Sequence, residues 1–543
     1  MVQSKTMTTA ASYLETVSTY ADNVTRWARD VWGERKTPLL ADGVHVETHE
    51  PVPWLWGGKD RIPCNFANQQ HLMRVLVGLS TLTGDDRWQK DAEEITAYAL
   101  AHLQHETGLL HWGGHVAWDL IHDEPFGHAI ESPHHELKCH YPFYELMWKA
   151  NPQATQKFVE GLWDAHIQNW SNLDISRHGV YQVKSRAVQI WQDEFEDGPL
   201  FFVGEGLSFV NAGSDLFFAA AMLHKFSGQS GPLKWAKILA KRYHDTANER
   251  TGLVGYQFSQ IEQDRAQKQL GPEFGEKALE GKTLMQSRTT TRYAAVGVIQ
   301  FQIAEQLGSE GEIFRQWAHS ALTALATHTY DFENNLLLPM FTDGTPIRPE
   351  DVKRPGYYKP EEFAPWKPNS VFLRAYATAY RSTRDPLMWR MASRIAQGHN
   401  LGDWGMNPDN IGSYAVESGD LSTLPTDIDL LYGVLELWRA TGHNQFRDIA
   451  VKIADYLAAQ HYREGMFLPY PQQNYARIDS RIPLALLHVA AALEHGPEQS
   501  LIPADRGGRT DFTSEHDTDP LAAKDRWKRV SDNRILYAPV QNA

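Results

Sequence analysis

The chain has 543 residues, of which 42% are hydrophobic, and a formal net charge of −15. This acidic balance argues against a nucleic-acid-binding protein, whose binding surface would be basic, but it allows an anionic small substrate in a locally basic cleft. The two cysteines, Cys64 and Cys139, are too few for a disulfide framework.

The N-terminal segment is polar and amphipathic, without the apolar stretch of a secretory signal. No run of about eighteen apolar residues follows it. We therefore expect a soluble cytoplasmic protein that binds neither nucleic acid nor membrane, and we predict no protein partner.

Six similar segments follow along the chain, each joining the end of one apolar-periodic helix to the start of a second through a short polar turn with Gly or Pro in most copies. They are residues 79–92, 146–159, 223–238, 303–318, 377–392 and 435–450. Units roughly 60–80 residues apart, with long aromatic loops between them, favour a closed ring over an open solenoid. The predicted fold is all-α, an α/α toroid (barrel) of about six to seven helical hairpins with short extended segments in the loops.

A second pattern ends the second helix of each pair at Gly or Asn and continues into an extended segment. It occurs at residues 106–112, 177–181, 250–258, 333–341 and 463–470. In this interpretation Gly179 is a helix stop. Arg177 and His178 are residues that the copy at 177–181 has in addition to the shared pattern. We assign Trp88, Trp235, Trp317 and Trp389 to helix packing. The predicted domains are a toroid over residues 1–500 and an extended tail over residues 501–543, packed on the outside.

Histidines concentrate between residues 102 and 140, where nine of the 24 occur. His102 and His105 suit a helix end, where a basic residue interacts well with the dipole. His115 follows two glycines in a loop. The segment 132–148 is predicted to begin a helix, with four polar residues in its first two turns: His134, His135, Glu136 and His140.

Two histidines and one carboxylate on separate segments suit a divalent first-row metal ion. The chain has no HExxH or CxxC motif, so spacing alone leaves the metal open. Glu136 could equally serve a helix N-terminus, and the RHG sequence could equally be a helix end.

Several longer motifs resemble the pectate lyases of polysaccharide lyase family two. They are GGHVAW (113–118), HELKCHYPFYELMW (135–148), LDISRHG (173–179) and LSFVNAGSDLFFAA (207–220). The likeness also includes LLADGVHVETHEPV (39–52), NFANQQ (65–70) and QKQLGPEFG (267–275). It runs in order to about residue 280.

The resemblance implies an α/α barrel of about seven hairpins that cleaves α-1,4-linked polygalacturonate by β-elimination. It implies a transition metal, most often Mn²⁺, with His115, Glu136 and His178 as ligands and Arg177 as the base. A cytoplasmic branch of that family acts from chain ends, which implies exo action on short oligogalacturonates here.

The chemistry is consistent with such a site. Removal of the C5 proton develops negative charge on the neighbouring carboxylate, which a bound divalent ion would stabilise. Arginine is ordinarily protonated, so it can act as a base only where a nearby cation and loss of water disfavour its charged form. Alternatively, Arg177 only clamps a carboxylate.

A polyanionic substrate on an acidic protein requires a local basic patch. The arginines predicted to bind substrate are Arg186, Arg288 and Arg292, and Lys184 and Arg265 are further candidates. Each could equally be a solvated surface charge.

Three other functions remain open on the residues alone. A toroidal glycoside hydrolase would need two carboxylates, which Asp193, Glu194, Glu196 and Asp215 could supply. A toroidal sugar epimerase acting on uronic-acid oligosaccharides would use histidines without metal. An oligosaccharide-binding protein would need only an aromatic platform.

Overall fold

A computed structural model describes residues 9–56, 59–113, 116–127, 134–137, 139, 141–182, 190–200, 206–258, 265–285, 289–409, 427–469, 474–497 and 501–507. The chain divides into two compact units. The first combines Met1–Ala165, His178–Val188 and Val451–Ala543, and the second combines His166–Arg177 and Gln189–Ala450. No helix among the described residues is long and apolar enough to cross a membrane.

The helices of the first unit come from both ends of the chain. They are α1 (Ala10–Trp27), α2 (Gln70–Thr83), α3 (Arg87–His102), α4 (Tyr144–Ala150), α5 (Pro152–His166), α14 (Asn444–His461, which begins in the second unit) and α15 (Ile482–Glu494). α1 packs against α2 and α15, α2 also packs against α15, and α3 packs against α2 and α4.

The second unit has two layers of helices. Its helices are α6 (Val210–Ser227), α7 (Ser230–Asp245), α8 (Arg265–Gln269), α9 (Thr291–Leu307), α10 (Glu312–His328), α11 (Ser370–Thr383), α12 (Pro386–Gly398) and α13 (Ile428–Thr441). One layer consists of α6, α9, α11 and α13, each in contact with the next, and the other consists of α7, α10 and α12.

All six predicted helical hairpins are confirmed. The turns lie between α2 and α3, α4 and α5, α6 and α7, α9 and α10, α11 and α12, and α13 and α14. Gly84, Gly228 and Gly442 end α2, α6 and α13 with φ between 73° and 76°, the left-handed conformation that glycine adopts without strain. Arg384 takes this role after α11 (φ 60°).

The extended segments form small antiparallel ribbons. The pairs are β1–β17, β2–β3, β7–β10, β8–β9, β11–β14, β12–β13 and β15–β16, and β4–β5–β6 is three-stranded. In the first unit the strands are β1 (Gly43–His45), β2 (Trp54–Trp56), β3 (Lys59–Arg61), β4 (Pro63–Cys64), β5 (Val116–Asp119), β6 (Glu124–Gly127), β7 (His134–Glu136), β10 (His178–Val180), β15 (Tyr462–Arg463), β16 (Met466–Phe467) and β17 (Tyr475–Arg477). In the second unit they are β8 (Ile167–Asn169), β9 (Asp174–Ile175), β11 (Thr283–Leu284), β12 (Tyr330–Asp331), β13 (Leu336–Leu337) and β14 (Met340–Phe341). The predicted all-α class with short extended segments in the loops is therefore confirmed.

The core is built on the apolar faces of the helices. Trp88, Trp235 and Trp389 are buried as predicted, whereas Trp317 is half-buried against Phe314. Where the tail is described, at residues 501–507, Ile502, Asp505 and Arg506 are buried. Residues 508–543 lie outside the described residues, so the outer position of the tail stays a prediction.

Candidate active site

A two-stranded ribbon in the first unit brings together two of the predicted metal ligands. In the antiparallel pairing of β7 with β10, His178 lies opposite Glu136 and Gly179 lies opposite His135. Directly opposed residues present their side chains on the same face. His178 Nε2 lies 3.4 Å from Glu136 Oε1, with the Glu136 side chain fully buried and that of His178 33% exposed. The strand pairing therefore assembles a carboxylate–imidazole pair at the margin of the buried interior.

This ribbon corrects two predictions made from the sequence. Residues His134–Glu136 form β7, and the helix that follows begins only at Tyr144, so Glu136 is not a residue of a helix N-terminus. Gly179 is not a helix stop, because it lies within β10. The preceding helix, α5, ends at His166 and leads into the β8–β9 ribbon. The turn of this ribbon, residues 170–173, includes Leu173 with φ 57°.

His135 points away from Glu136 and has a packing role. Successive side chains of a strand alternate between its faces, and His135 Nε2 accepts a hydrogen bond of 3.1 Å from Trp112 Nε1. His135 is 3% exposed. It therefore ties β7 to the segment at residues 111–113.

Gly113 brings that segment close to the carboxylate-bearing strand. Its φ is +107°, and a Cβ placed there would lie 3.5 Å from the Glu136 carbonyl oxygen and 3.8 Å from the His135 ring. Asn65 holds both backbone groups of Gly113: its Oδ1 accepts from the Gly113 N–H (2.9 Å), and its Nδ2 donates to the Gly113 carbonyl (2.7 Å). The chain is thus fixed two residues before His115.

Among the other histidines of this region, His111 lies in an aromatic cluster. Its ring stacks on Tyr181 at 5.1 Å and meets His105 edge-on at 5.6 Å. Burial, and secondly the neighbouring His105, lower the pKa of His111 to about 4. His111 is therefore neutral at neutral pH.

Arg177 lies at the end of the His166–Arg177 segment of the second unit. Its guanidinium carbon lies 5.4 Å from the centre of the Phe209 ring, and Phe209 stacks nearly parallel on Tyr256 at 5.5 Å. Buried Asp174 accepts hydrogen bonds of 2.7 Å from the Gly206 N–H and from Ser208 Oγ. Phe209 of the 207–220 motif thus packs against Arg177, and Ser208 helps to fix β9, the strand before Arg177.

The remaining predicted residues are placed in part. His115, Arg186 and Arg288 lie outside the described residues, as do Lys184 and His140. Arg292 is half-buried in the first turn of α9, and Arg265 stacks on Tyr357 at 4.5 Å. The predicted substrate-binding role of these arginines stays a prediction.

A second cluster of possible metal ligands was not predicted from the sequence. Among the described residues, Asp119, His122 and Glu124 offer ligand atoms within 4.8 Å of one another. Buried Arg61, however, donates to Asp119 Oδ2 at 2.9 Å and to Glu124 Oε1 at 3.0 Å. Its guanidinium, at the end of β3, already supplies the positive charge for both carboxylates. Ion pairing between β3 and the β5–β6 hairpin therefore accounts for this cluster.

Sequence reasoning also gave no role to the buried polar residues of the 39–52 and 65–70 motifs. Asp42, Asn65 and Gln70 are less than 5% exposed and hydrogen-bonded to one another or to other segments. For Gln70 the available signal was the run of polar residues NQQ (68–70), whereas Asp42 and Asn65 are single polar residues with small or apolar neighbours.

The comparison with protein families decides the assignment. A family model described as periplasmic pectate lyase matches residues 37–514, which include both strands of the ribbon, Arg177 and the 207–220 motif. The chain belongs to this pectate lyase family. Pectate-cleaving lyase activity is therefore its function.

A curated relative agrees with this membership. The pectate disaccharide-lyase of Dickeya dadantii is 29% identical over 516 residues, covering 88% of this pectate lyase chain and 89% of the relative.

Likenesses to solved structures are weak. A family 76 glycoside hydrolase from a bovine Bacteroides thetaiotaomicron strain matches with a TM-score of 0.42 at 12% identity, covering 89% of this chain and 78% of the other. The cellobiose 2-epimerase of Bacillus thermoamylovorans matches with a TM-score of 0.42 at 8% identity, covering 73% and 90%. Likenesses at these TM-scores and identities carry no information about the chemistry of this pectate lyase.

Proposed function

We propose that this pectate lyase cleaves α-1,4-linked oligo- and polygalacturonate by metal-dependent β-elimination. Glu136, His178 and His115 would hold the divalent ion, most simply Mn²⁺, and Arg177 would act on the C5 proton. The observation that carries the proposal is the buried Glu136 carboxylate 3.4 Å from His178 Nε2, on a ribbon whose next residue toward the N-terminus is Arg177.

The donor set fits a first-row metal ion. Carboxylate oxygen and imidazole nitrogen bind such ions at about 2.0–2.2 Å, so two adjacent ligand atoms of one ion lie about 3 Å apart, close to the separation of Glu136 Oε1 and His178 Nε2. The strand pairing fixes the two backbones, so the ion would not have to bring the two strands together. A bound ion would supply Lewis-acid stabilisation of the charge that develops on the uronate carboxylate.

Arg177 immediately precedes the proposed ligand His178 in the chain. Its guanidinium packs over Phe209, which restricts the side chain. From there it could receive the C5 proton, if the cation and loss of water disfavour its charged form, or bind the uronate carboxylate as a fork. Both roles place Arg177 in contact with the substrate.

Metal dependence can be tested through the unsaturated product, whose absorbance reports elimination. Purified protein is incubated with polygalacturonate and with trigalacturonate, with EDTA and with EDTA followed by excess Mn²⁺. We expect EDTA to abolish product formation and Mn²⁺ to restore it. Activity that persists in EDTA would contradict the metal-dependent mechanism.

The ligands can be tested by Glu136→Gln and His178→Ala. Each should lower bound Mn²⁺ and turnover together, because each removes a ligand atom. Glu310→Gln, at an exposed carboxylate on the surface, is the matched control and should keep both. Full activity with unchanged metal content in either variant would remove that residue from the site.

We also propose exo action, in line with the family resemblance and with the disaccharide-lyase relative. An exo enzyme releases mainly unsaturated digalacturonate from the first minutes, with slow loss of polymer viscosity. A fast fall in viscosity with a ladder of intermediate oligomers would show endo action instead.

Cytoplasmic location is a further proposal. Cys64 and Cys139 are both buried and neither forms a disulfide, which suits a reducing compartment, whereas the family is described as periplasmic. Fractionation of the native host into periplasm and cytoplasm, followed by assay of elimination activity, decides between the two.

A further inference from the structure

The residues at the start of α2 reach both segments that carry predicted metal ligands. Asn65, Gln70 and Arg74, which we call the α2 clamp, are each 1–2% exposed. Burial of a polar side chain costs free energy unless it is hydrogen-bonded. Each clamp residue bonds to the backbone of a distant segment, so their interactions connect parts of the chain that the sequence separates.

Asn65 holds the segment that leads to His115. The Asn65 side-chain amide is hydrogen-bonded to both the N–H and the carbonyl of Gly113. Gly113 is itself close to the Glu136 carbonyl oxygen, which would lie 3.5 Å from a Cβ at that position. A primary amide can satisfy both groups because it has one acceptor and one donor end. A side chain that lacks either the hydrogen-bond donor or the acceptor could not bond to both backbone groups of Gly113 in this way.

Gln70 and Arg74 hold the segment that follows Glu136. Gln70 Oε1 accepts from the Phe143 N–H at 2.8 Å, and Arg74 Nη2 donates to the Tyr141 carbonyl at 2.6 Å. Cys139 and Tyr141 have φ of 59° and 40°, a conformation that costs free energy in residues other than glycine. The hydrogen bonds from Gln70 and Arg74 help to hold the backbone of Phe143 and Tyr141 against this cost.

Asp42 fixes the clamp itself. Its two carboxylate oxygens accept from the Asn65 N–H at 2.8 and 2.9 Å, and one also accepts from Gln69 Nε2 at 2.8 Å. The backbone of Asn65 is therefore fixed while its side chain holds Gly113.

We propose that Asn65 and Arg74 are positioning residues that set the metal affinity of this enzyme by fixing the separation of the Gly113 and Glu136 segments. The proposal rests on the proposed metal site at Glu136 and His178. Groups that orient metal ligands typically change affinity by about 10–100-fold when they are removed. An effect of that size is expected here, with the fold retained.

The test is a Mn²⁺ titration followed by electron paramagnetic resonance of the free ion, on the full-length protein. Asn65→Asp keeps the shape but replaces the amide donor, so that a carboxylate oxygen faces the Gly113 carbonyl. Its Mn²⁺ dissociation constant should rise at least tenfold, and saturating Mn²⁺ should restore turnover. Asn444→Asp, at an exposed asparagine that begins α14, is the matched control and should bind Mn²⁺ like the wild type.

Two further variants make each outcome decisive. Glu136→Gln should bind Mn²⁺ weakly; if it binds like the wild type, the proposed metal site is wrong. If Glu136→Gln is weak but Asn65→Asp matches the wild type, the positioning role is wrong and the metal site stands. Should circular dichroism show that Asn65→Asp is unfolded, Arg74→Met replaces it, since it removes the donor to Tyr141 and keeps an apolar stem. Unchanged Mn²⁺ affinity in a folded Arg74→Met would then overturn the proposal.

Discussion

Arg177 and His178 are adjacent in the sequence but have different surroundings. His178 is opposed to Glu136 in a ribbon, whereas Arg177 packs over an aromatic ring. β10 begins at His178, so Arg177 precedes the strand and is not part of the ribbon. A metal ligand and a group acting on substrate can therefore be consecutive residues without competing for one position.

Substitution of Arg177 by Lys tests the base role. Lys keeps a positive charge but lacks the planar fork and the reach of Arg, while the Glu136–His178 pair is left intact. General-base catalysis contributes about 10²–10⁴-fold, so we expect turnover to fall by at least that lower factor with Mn²⁺ binding unchanged. Arg348→Lys, at an arginine whose side chain is 72% exposed, controls for the substitution. A fall of less than tenfold would leave Arg177 as a clamp.

Because His111 is buried with a lowered pKa, we expect the free energy of unfolding to fall in acid. Among the described residues, the rings in contact with His111 belong to His105, Tyr181 and Trp118, and none of these is acidic. Because its folded pKa of about 4 lies below the ordinary 6.5, the unfolded chain takes up this proton first. The stabilisation is complete above pH 6.5 and is lost as the pH falls toward 4, by about 3 kcal/mol in all.

The measurement is urea denaturation at pH 7 and pH 4.5 without added metal. His111→Phe, which preserves stacking on Tyr181, should lose less stability than the wild type over this interval. His328→Phe, at an exposed histidine, should behave like the wild type. Equal pH dependence in all three proteins would show that His111 contributes nothing to acid lability.

At the scale of elements, the helices could be predicted and the ribbon could not. Each helix of a pair carries apolar residues at helical spacing, and the turns carry Gly or Pro, so both signals are local. The β7–β10 pairing joins Glu136 to His178 across 42 positions, and a strand reading HHE has no apolar alternation. The Ser-Pro that precedes it is typical of a helix start, so the sequence predicts a helix where the structure has a strand.

The same limit applies to buried polar groups. Asn65, Gln70 and Arg74 are visible in the sequence only as polar residues among apolar ones, and their partners lie 48–73 positions away. The resemblance located the motifs and the three predicted ligands, of which Glu136 and His178 are found together. It did not indicate what holds them.

Gly206 provides a test of how firmly β9 must be held. A Cβ at this position would lie 2.1 Å from the Ile175 carbonyl oxygen, so Gly206→Ala must displace the strand that leads to Arg177. Overpacking of this kind typically costs about 1–3 kcal/mol. We expect a lower urea midpoint together with reduced turnover. Gly496→Ala, where a Cβ would contact nothing within 4 Å, is the control; wild-type turnover in Gly206→Ala would show that the position of β9 is not critical.

At the scale of the whole molecule, the C-terminal segment is tied into the first unit by buried charges. Asp505 accepts from Arg481 at 2.8 and 3.1 Å, and Arg506 pairs with Glu145. His71 lies between Asp479 Oδ2 (3.2 Å) and the Gly507 carbonyl (2.9 Å). Residues 501–507 thus contribute charges that the helices of this unit require.

Removal of one of these charges should be costly. Asp505→Asn leaves Arg481 with a neutral partner in a buried site, and breaking a buried ion pair typically costs about 3–5 kcal/mol. Urea unfolding should show a loss of that order, whereas exposed Asp409→Asn should be nearly neutral. A loss below about 1 kcal/mol would show that the pair is not needed for stability.

The pairing of β1 with β17 has a consequence for synthesis of the protein. β1 follows α1 near the start of the chain, but its partner is not made until Arg477, and Asp479 and Asp505, which contact His71, come later still. Translation at about 5–20 residues per second leaves the first unit without these partners until most of the chain has been made. Asp42, which fixes Asn65, belongs to this early segment. Nascent chains halted before residue 470 should therefore be digested rapidly in their first 165 residues.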